Sequence, residues 1–91
     1  MKLYREIEKI FPILGERFNA EDFEEFKNTR ISDLCLYHFG FGAWIRNNLL
    51  YNSESILYSD FIENGIEDKD EMSAVIIRLF HYYATIYSAP S

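Results

Sequence analysis

The sequence has 91 residues, 48% of them hydrophobic, which is enough apolar material for one domain with its own core and argues against disorder. Fifteen acidic side chains against nine basic ones give a formal charge of −6, which disfavours direct binding to nucleic acid or to anionic membranes. The single cysteine excludes an internal disulfide, and no signal peptide or membrane-spanning apolar run is visible, so a cytoplasmic protein is predicted.

Apolar periodicity predicts an all-α chain: a compact bundle of four to five short helices around a central apolar helix, forming a single helical domain over residues 1–91. The first helix is expected to end at Pro12, because proline removes a backbone donor and clashes with the preceding turn. Asn19 can cap a second helix over residues 20–28, with acidic residues in its first turn.

A third helix is expected to begin at Ser32 or Asp33 and to run to Leu50. Its residues are apolar nearly all round rather than along one stripe, which is typical of a helix in the middle of a bundle. Residues 37–41 are aromatic enough that a short strand is the alternative.

A fourth helix is expected from Ser53 to Asn64, where Asn64 and Gly65 supply a C-terminal cap. Asp68 and Glu71 form a capping-box pattern at the start of a fifth helix. Apolar periodicity then continues to residue 86, so the fifth helix should be the longest.

The residues with the strongest chemical pattern lie in the third segment. His38, Gly42 and Arg46 are four residues apart, so a helix would place them along one side, with Gly42 opening space between the polar groups. Together with Asn47 they form a candidate ligand site that could hold an anion or an acidic side chain.

A structural explanation competes with this site. Glycine inside a helix costs about 1 kcal/mol relative to alanine, so Gly40 and Gly42 need a reason such as a close approach of another element. Gly40 and Ala43 could let a neighbouring helix pack closely, while acids such as Asp60 or Glu63 pair with His38 and Arg46. A kinked or partly non-helical segment without a site is the third possibility.

Other reactive residues give weaker signals. Cys35 precedes His38 by three residues, a spacing that a thiolate and its base could share, but no third orienting residue is evident and a buried apolar cysteine is the commoner case. His81 is interpreted as a solvated or hydrogen-bonded structural histidine near the rim of the last helix. No catalytic residue, metal site or cofactor is assigned, and the pattern favours a binding role over an enzymatic one.

Three tyrosines of the last helix, Tyr82, Tyr83 and Tyr87, form either an exposed aromatic patch for a protein partner or part of the core.

Residues 38–48, which read His-Phe-Gly-Phe-Gly-Ala-Trp-Ile-Arg-Asn-Asn, and the later Asp70-Glu71-Met72-Ser73 together resemble the pattern of a family of small bacterial and phage domains of unknown function. The resemblance extends over roughly residues 33–85. It implies a unit of fold and singles out His38, Arg46 and Asn47, and it implies no mechanism.

Small size, acidity and the lack of catalytic motifs together favour an interaction protein, such as an immunity-type or phage counter-defence inhibitor. Its partner would be a larger protein with a basic site, for example one that acts on nucleic acid, and homodimerisation is also open. The expected partner-binding residues are acidic: Asp60, Glu63, Glu67, Asp68, Asp70 and Glu71. The alternative is a small-ligand-binding or enzymatic domain with its anion site at His38, Arg46 and Asn47.

Overall fold

The structure is a computed structural model that describes residues 2–51 and 54–87. Helix α1 spans Lys2–Lys9, and after a turn at Ile10 helix α2 spans Phe11–Gly15. The prediction that Pro12 ends the first helix was wrong, because the break comes before it and Pro12 lies in the first turn of α2. Proline is tolerated there, since backbone N–H groups in a first turn have no intrahelical partner.

Helix α3 spans Ala20–Lys27, close to the predicted range. The side chain of Asn19 caps it, as predicted, by accepting a hydrogen bond of 2.7 Å from the backbone N–H of Asp22. This bond satisfies one of the free donors of the first turn.

The third segment is helical but changes pitch twice. It begins as a 3₁₀ helix over Ile31–Tyr37, continues as one π-helical stretch over His38–Gly42, and becomes helix α4 over Ala43–Leu49. A single α-helix from residue 32 or 33 to Leu50 was therefore wrong, and so was the strand alternative for residues 37–41. Single π-helical turns inside helices are found frequently at functional sites.

Helix α5 spans Ile56–Glu63. Its cap is Ser55, whose hydroxyl accepts a hydrogen bond from the backbone N–H of Tyr58, while the predicted start at Ser53 lies outside the described residues. Asn64 ends the helix and Gly65 follows with a φ of +83°, as the sequence predicts, because glycine adopts this conformation without a steric cost.

Helix α6 spans Lys69–Tyr87 and, at 19 residues, is the longest of the described helices, as predicted. Asp68 precedes it and accepts a hydrogen bond from the backbone N–H of Asp70. None of the helices in the described ranges is long and apolar enough to cross a membrane.

The predicted all-α class is confirmed: helices account for every regular element of the part of the chain that the structure describes. The central apolar helix is α6, which contacts α3, the 3₁₀ helix, the π-helical stretch and α4. Its buried side is formed by Met72, Ser73, Ile76, Ile77, Phe80, His81 and Ala84. The third segment, expected in the middle, is instead half exposed, since Leu36 and Phe39 lie largely in solvent.

Aromatic rings fill the space between α6 and the first half of the chain. Phe26 is fully buried, and its ring lies 5.1 Å from that of Phe18, 4.9 Å from Tyr37 and 5.6 Å from Phe80, measured between centroids. Large rings bury much area per residue, which helps a short chain offset its conformational entropy.

Candidate functional site

Arg46 is the centre of a polar cluster between the third segment and α6. Its Nη1 donates a hydrogen bond of 2.9 Å to Ser73 Oγ, and its Nη2 donates one of 3.2 Å to the backbone oxygen of His38. Its Nε lies 3.3 Å from Asp70 Oδ1. Each of the three guanidinium nitrogens thus contacts a protein group. We refer to Arg46, His38, Ser73 and Asp70 as the Arg46 cluster.

The imidazole of His38 also lies beside the guanidinium of Arg46. Nη1 of Arg46 lies 3.4 Å from Nδ1 of the imidazole, and a guanidinium can only donate. A hydrogen bond at this contact therefore requires the tautomer in which Nδ1 accepts and Nε2 carries the ring proton. A general base that used Nδ1 would have to lose this contact first.

The lack of a side chain at Gly42 leaves the space that the guanidinium of Arg46 occupies. A Cβ atom at this position would come within 3.0 Å of Nη1 of Arg46 and 3.4 Å of the backbone oxygen of Tyr37. Gly40, in contrast, is exposed and has nothing within 4 Å of an added Cβ. The close approach thus occurs at Gly42, and the explanation that Gly40 makes room for a neighbouring helix was wrong.

Three of the four residues predicted as a ligand site, His38, Gly42 and Arg46, come together in space. Asn47 lies apart from them on the exposed side of α4. The structural explanation expected Asp60 or Glu63 to pair with Arg46. The acid that pairs with it is Asp70. Sequence reasoning missed Ser73, whose hydroxyl is fully buried and donates in turn to the backbone oxygen of Asp70 at 2.9 Å.

A second feature is an apolar groove beside the 3₁₀ helix, lined by residues of α6 that follow Asp70 and Ser73 in the sequence. It has a volume of about 480 Å³ and is lined by Ile31, Val75, Arg78, Leu79, His81, Tyr82 and Thr85. We call it the α6 groove. A smaller hollow of about 250 Å³ shares Ile31 and Arg78 with it and is also lined by Cys35 and His38.

The α6 groove carries large apolar side chains that are exposed. Tyr82 is 63% exposed and Ile31 is 58% exposed, and Ile86 at the end of the same helix side is 45% exposed. Arg78 lies among them without an ion pair to any of the described residues. Apolar surface gathered in one hollow, rather than scattered singly, is typical of an interaction site.

His81 lines the groove but does not behave as predicted. Only 6% of the residue is exposed, and its Nε2 is buried without a hydrogen-bond partner in the described part of the chain. Its ring meets Phe26 edge-on, with the centroids 5.4 Å apart. It is thus a buried core histidine, and the expectation of a solvated or hydrogen-bonded histidine near the rim was wrong.

The tyrosines of α6 divide between surface and core. Tyr82 is exposed, whereas Tyr83 is half-buried and packs on Phe11 with the ring centroids 4.7 Å apart. The side chain of Tyr87 lies outside the described residues. Cys35 is exposed, contrary to the expectation for an isolated cysteine, and its thiol donates only a long contact of 3.7 Å to Ser32 O.

The acidic end of the molecule comprises the last residue of α5, the connection to α6 and the first turn of α6. Four carboxylates are exposed there without an ion pair to another described residue: Glu63, Glu67, Asp68 and Glu71. Asp70 is also exposed but pairs with Arg46. Lys69, the cation within this run, donates to the backbone oxygen of Tyr51 at 3.3 Å and lies 5.4 Å from the ring centroid of Tyr58.

Asp60 is not part of this acidic surface, although the sequence grouped it there. It is 2% exposed, and its Oδ1 lies 3.5 Å from Nζ of Lys2 on α1. Its position on the buried side of α5 makes it a contact between two helices rather than a residue available to a partner.

The Arg46 cluster and, apart from Thr85, the lining of the α6 groove lie within one family match. The model of DUF6794, a domain of unknown function, matches residues 5–84. The chain belongs to this family. It has no significant match among curated proteins or solved structures. The DUF6794 assignment confirms the resemblance to a small domain family of unknown function.

Proposed function

We propose that the chain is a protein–protein interaction module that presents its acidic end to a basic site on a larger protein. The observation that supports this proposal is the excess of negative charge at that end: Glu63, Glu67, Asp68 and Glu71 are exposed and have no ion pair to a residue within the described ranges. The partner has the chemistry that complements them, a surface of lysines and arginines.

The distribution of ion pairs strengthens this reasoning. Lys9 and Lys27 pair with acids on their own helices, and Arg46 is held by Asp70. These three cations pair with acids other than the four exposed carboxylates of the acidic end, and Lys69 contacts tyrosines instead of the neighbouring carboxylates. A negative field remains at the acidic end, and such a field accelerates encounter with a basic partner.

Ile62 and Ile66 give this end an apolar component. Ile62 is 37% exposed on α5, and Ile66 is half-buried directly after Gly65. Interfaces combine an apolar centre with a polar rim, so isoleucines among carboxylates suit a protein surface better than a free ion. Inhibition of a nucleic-acid-acting protein, with carboxylates in the place of phosphates, is one form of this function.

The test begins with affinity capture from host lysate at low salt, followed by reconstitution with the purified partner. A triple variant, Glu63→Gln, Glu67→Gln and Glu71→Gln, should weaken binding about tenfold at low salt, because each exposed charge pair contributes about 0.2–1 kcal/mol. Capture alone does not support the proposal unless this loss follows.

The matched control is Glu8→Gln, Glu16→Gln and Glu25→Gln, which removes the same charge from exposed positions on other elements. Measured at the same salt concentration as the acidic triple variant, it should change the affinity by less than about twofold, since charges more than a Debye length from the docking site are screened. Equal losses in both triple variants, or binding that is insensitive to salt, would refute a localised acidic docking site.

The alternative hypothesis, an anion site at His38, Arg46 and Asn47, has a specific requirement. An incoming anion would have to compete with Asp70, Ser73 and the backbone oxygen of His38, because each of the three guanidinium nitrogens already contacts one of these protein groups. The geometry of the Arg46 cluster is therefore that of a link between helices, and we do not base the function on it.

A further inference from the structure

We propose that the α6 groove is covered by a second copy of this chain. The two α6 helices would lie antiparallel about a two-fold axis, with Tyr82 of each copy filling the groove of the other. This proposal is independent of the acidic end, which lies at the start of α6.

The spacing of two exposed and two half-buried residues on α6 supports a helix-to-helix contact: Arg78 and Tyr82 are exposed, and Val75 and Leu79 are half-buried. Val75, Arg78, Leu79 and Tyr82 follow one another at intervals of three, one and three residues, which places them along one side of the helix. Ile31 of the 3₁₀ helix borders this side. An apolar groove beside a helix is a surface into which the side chains of another helix can pack.

The chemistry of the stripe indicates what the partner must carry. No acidic residue occurs in α6 after Glu71, and Arg78 has no ion pair among the residues described. A strongly basic partner would be repelled by Arg78. Tyrosine and arginine are the residue types that contribute most to binding at interfaces, and the stripe has one of each, four residues apart.

A second α6 supplies the complement of this pair. In an antiparallel arrangement centred near residue 80, Arg78 of one copy faces the ring of Tyr82 of the other, and the reverse contact forms at the same time. Each guanidinium then lies over an aromatic face, an arrangement worth about 0.5–2 kcal/mol according to its exposure. A parallel pairing would place Arg78 against Arg78 and is disfavoured.

The same register separates the acidic ends. Glu71 lies nine residues from the centre, so the two copies of Glu71 would be about 27 Å apart at a rise of 1.5 Å per residue. That distance is several times the Debye length of about 8 Å at physiological salt. The overall charge of −6 per chain is therefore compatible with self-association through this face.

The test is sedimentation velocity on purified protein from micromolar to millimolar concentration. The wild type should show a monomer–dimer equilibrium. Tyr82→Arg should weaken dimerisation by at least about tenfold, because it removes the ring and places arginines opposite each other. The double variant Arg78→Tyr with Tyr82→Arg should restore dimers, since antiparallel pairing recreates the contact with the residues exchanged.

Tyr51→Arg is the matched control, because it makes the same replacement at a 75% exposed tyrosine near the opposite end of α6. It should leave the dimer unchanged, and circular dichroism should show all variants folded, as both tyrosines are exposed. A wild type that stays monomeric at millimolar concentration overturns the proposal. So does a double variant that is no more dimeric than Tyr82→Arg, or a Tyr51→Arg variant that abolishes the dimer.

Discussion

Arg46 and Arg78 provide a comparison between two regions of the molecule. Arg46 is part-buried and meets Ser73, Asp70 and the backbone of His38, whereas Arg78 is exposed and lies in an apolar groove without an ion pair among the described residues. The first arginine joins two helical segments, and the second is available to another molecule. The residue with the more recognisable sequence pattern is thus the structural one, and the residue without a pattern lies in the more accessible site.

The largest expected effect that sharpens this contrast is at Arg46. Arg46→Ala should lower the free energy of unfolding by about 2–3 kcal/mol, because it removes charge-assisted hydrogen bonds from a part-buried cluster. Denaturation in urea measures the change. Arg46→Lys should recover only part of the loss, since lysine cannot contact several acceptors with a planar group. A loss under about 0.5 kcal/mol for Arg46→Ala would mean that the cluster does not hold the helices together.

Gly42 and Gly40 offer a matched pair inside the same segment. Gly42→Ala should destabilise the fold by about 1 kcal/mol, because the added methyl displaces the guanidinium by more than alanine gains in helix propensity. Gly40→Ala meets no atom within 4 Å and should stabilise the fold by up to about 1 kcal/mol. Thermal unfolding distinguishes the two, and identical shifts would show that the close approach at Gly42 has no energetic consequence.

A gain of stability is expected on the groove side of α6. His81→Leu removes a buried Nε2 that has no partner within the described residues, and leaving such a group unsatisfied costs about 1–3 kcal/mol. The substitution also removes the ring contact with Phe26, which offsets part of this gain. We therefore expect the free energy of unfolding to increase by about 1 kcal/mol. His81→Ala should instead destabilise the fold, since it leaves a cavity. A loss for both variants would indicate that the imidazole is needed for its polarity.

The smallest expected effect is at Arg78. Arg78→Ala should change the stability of the monomer by less than about 0.5 kcal/mol, because the side chain is exposed and has no ion pair to a described residue. The measurement is urea denaturation at a concentration low enough to exclude association. A loss comparable to that of Arg46→Ala would remove the contrast between the two arginines.

Local signals in the sequence predict the helix ends well. Asn19 caps α3, and Asn64 with Gly65 ends α5, because capping depends on a few neighbouring backbone groups and on the φ that glycine alone adopts freely. The alignment of His38, Gly42 and Arg46 is also predictable from spacing, and the structure brings these three together. These features are determined within a turn or two of the chain.

Features that depend on distant partners are not predictable in this way. The change from 3₁₀ to π to α pitch accompanies contacts from Arg46 to Ser73 and Asp70, which are more than twenty residues away. Long 3₁₀ runs and π-helical turns are rare because an α-helix is locally more favourable, so we attribute the change of pitch to tertiary contacts. Apolar periodicity also does not predict that Phe39 is 85% exposed. An apolar residue contributes the same signal to the pattern whether it lies in the core or on the surface.

The contact between α1 and α5 has a consequence for the order of assembly. Lys2 and Asp60 lie on helices separated by most of the chain, so α1 has no α5 to pack against while the intervening residues are still being synthesised. Translation proceeds at about 5–20 residues per second, so α1 leaves the ribosome seconds before α5 can receive it. An eight-residue helix is marginal alone in water, and α1 should therefore form late, after α6 and its neighbours have condensed.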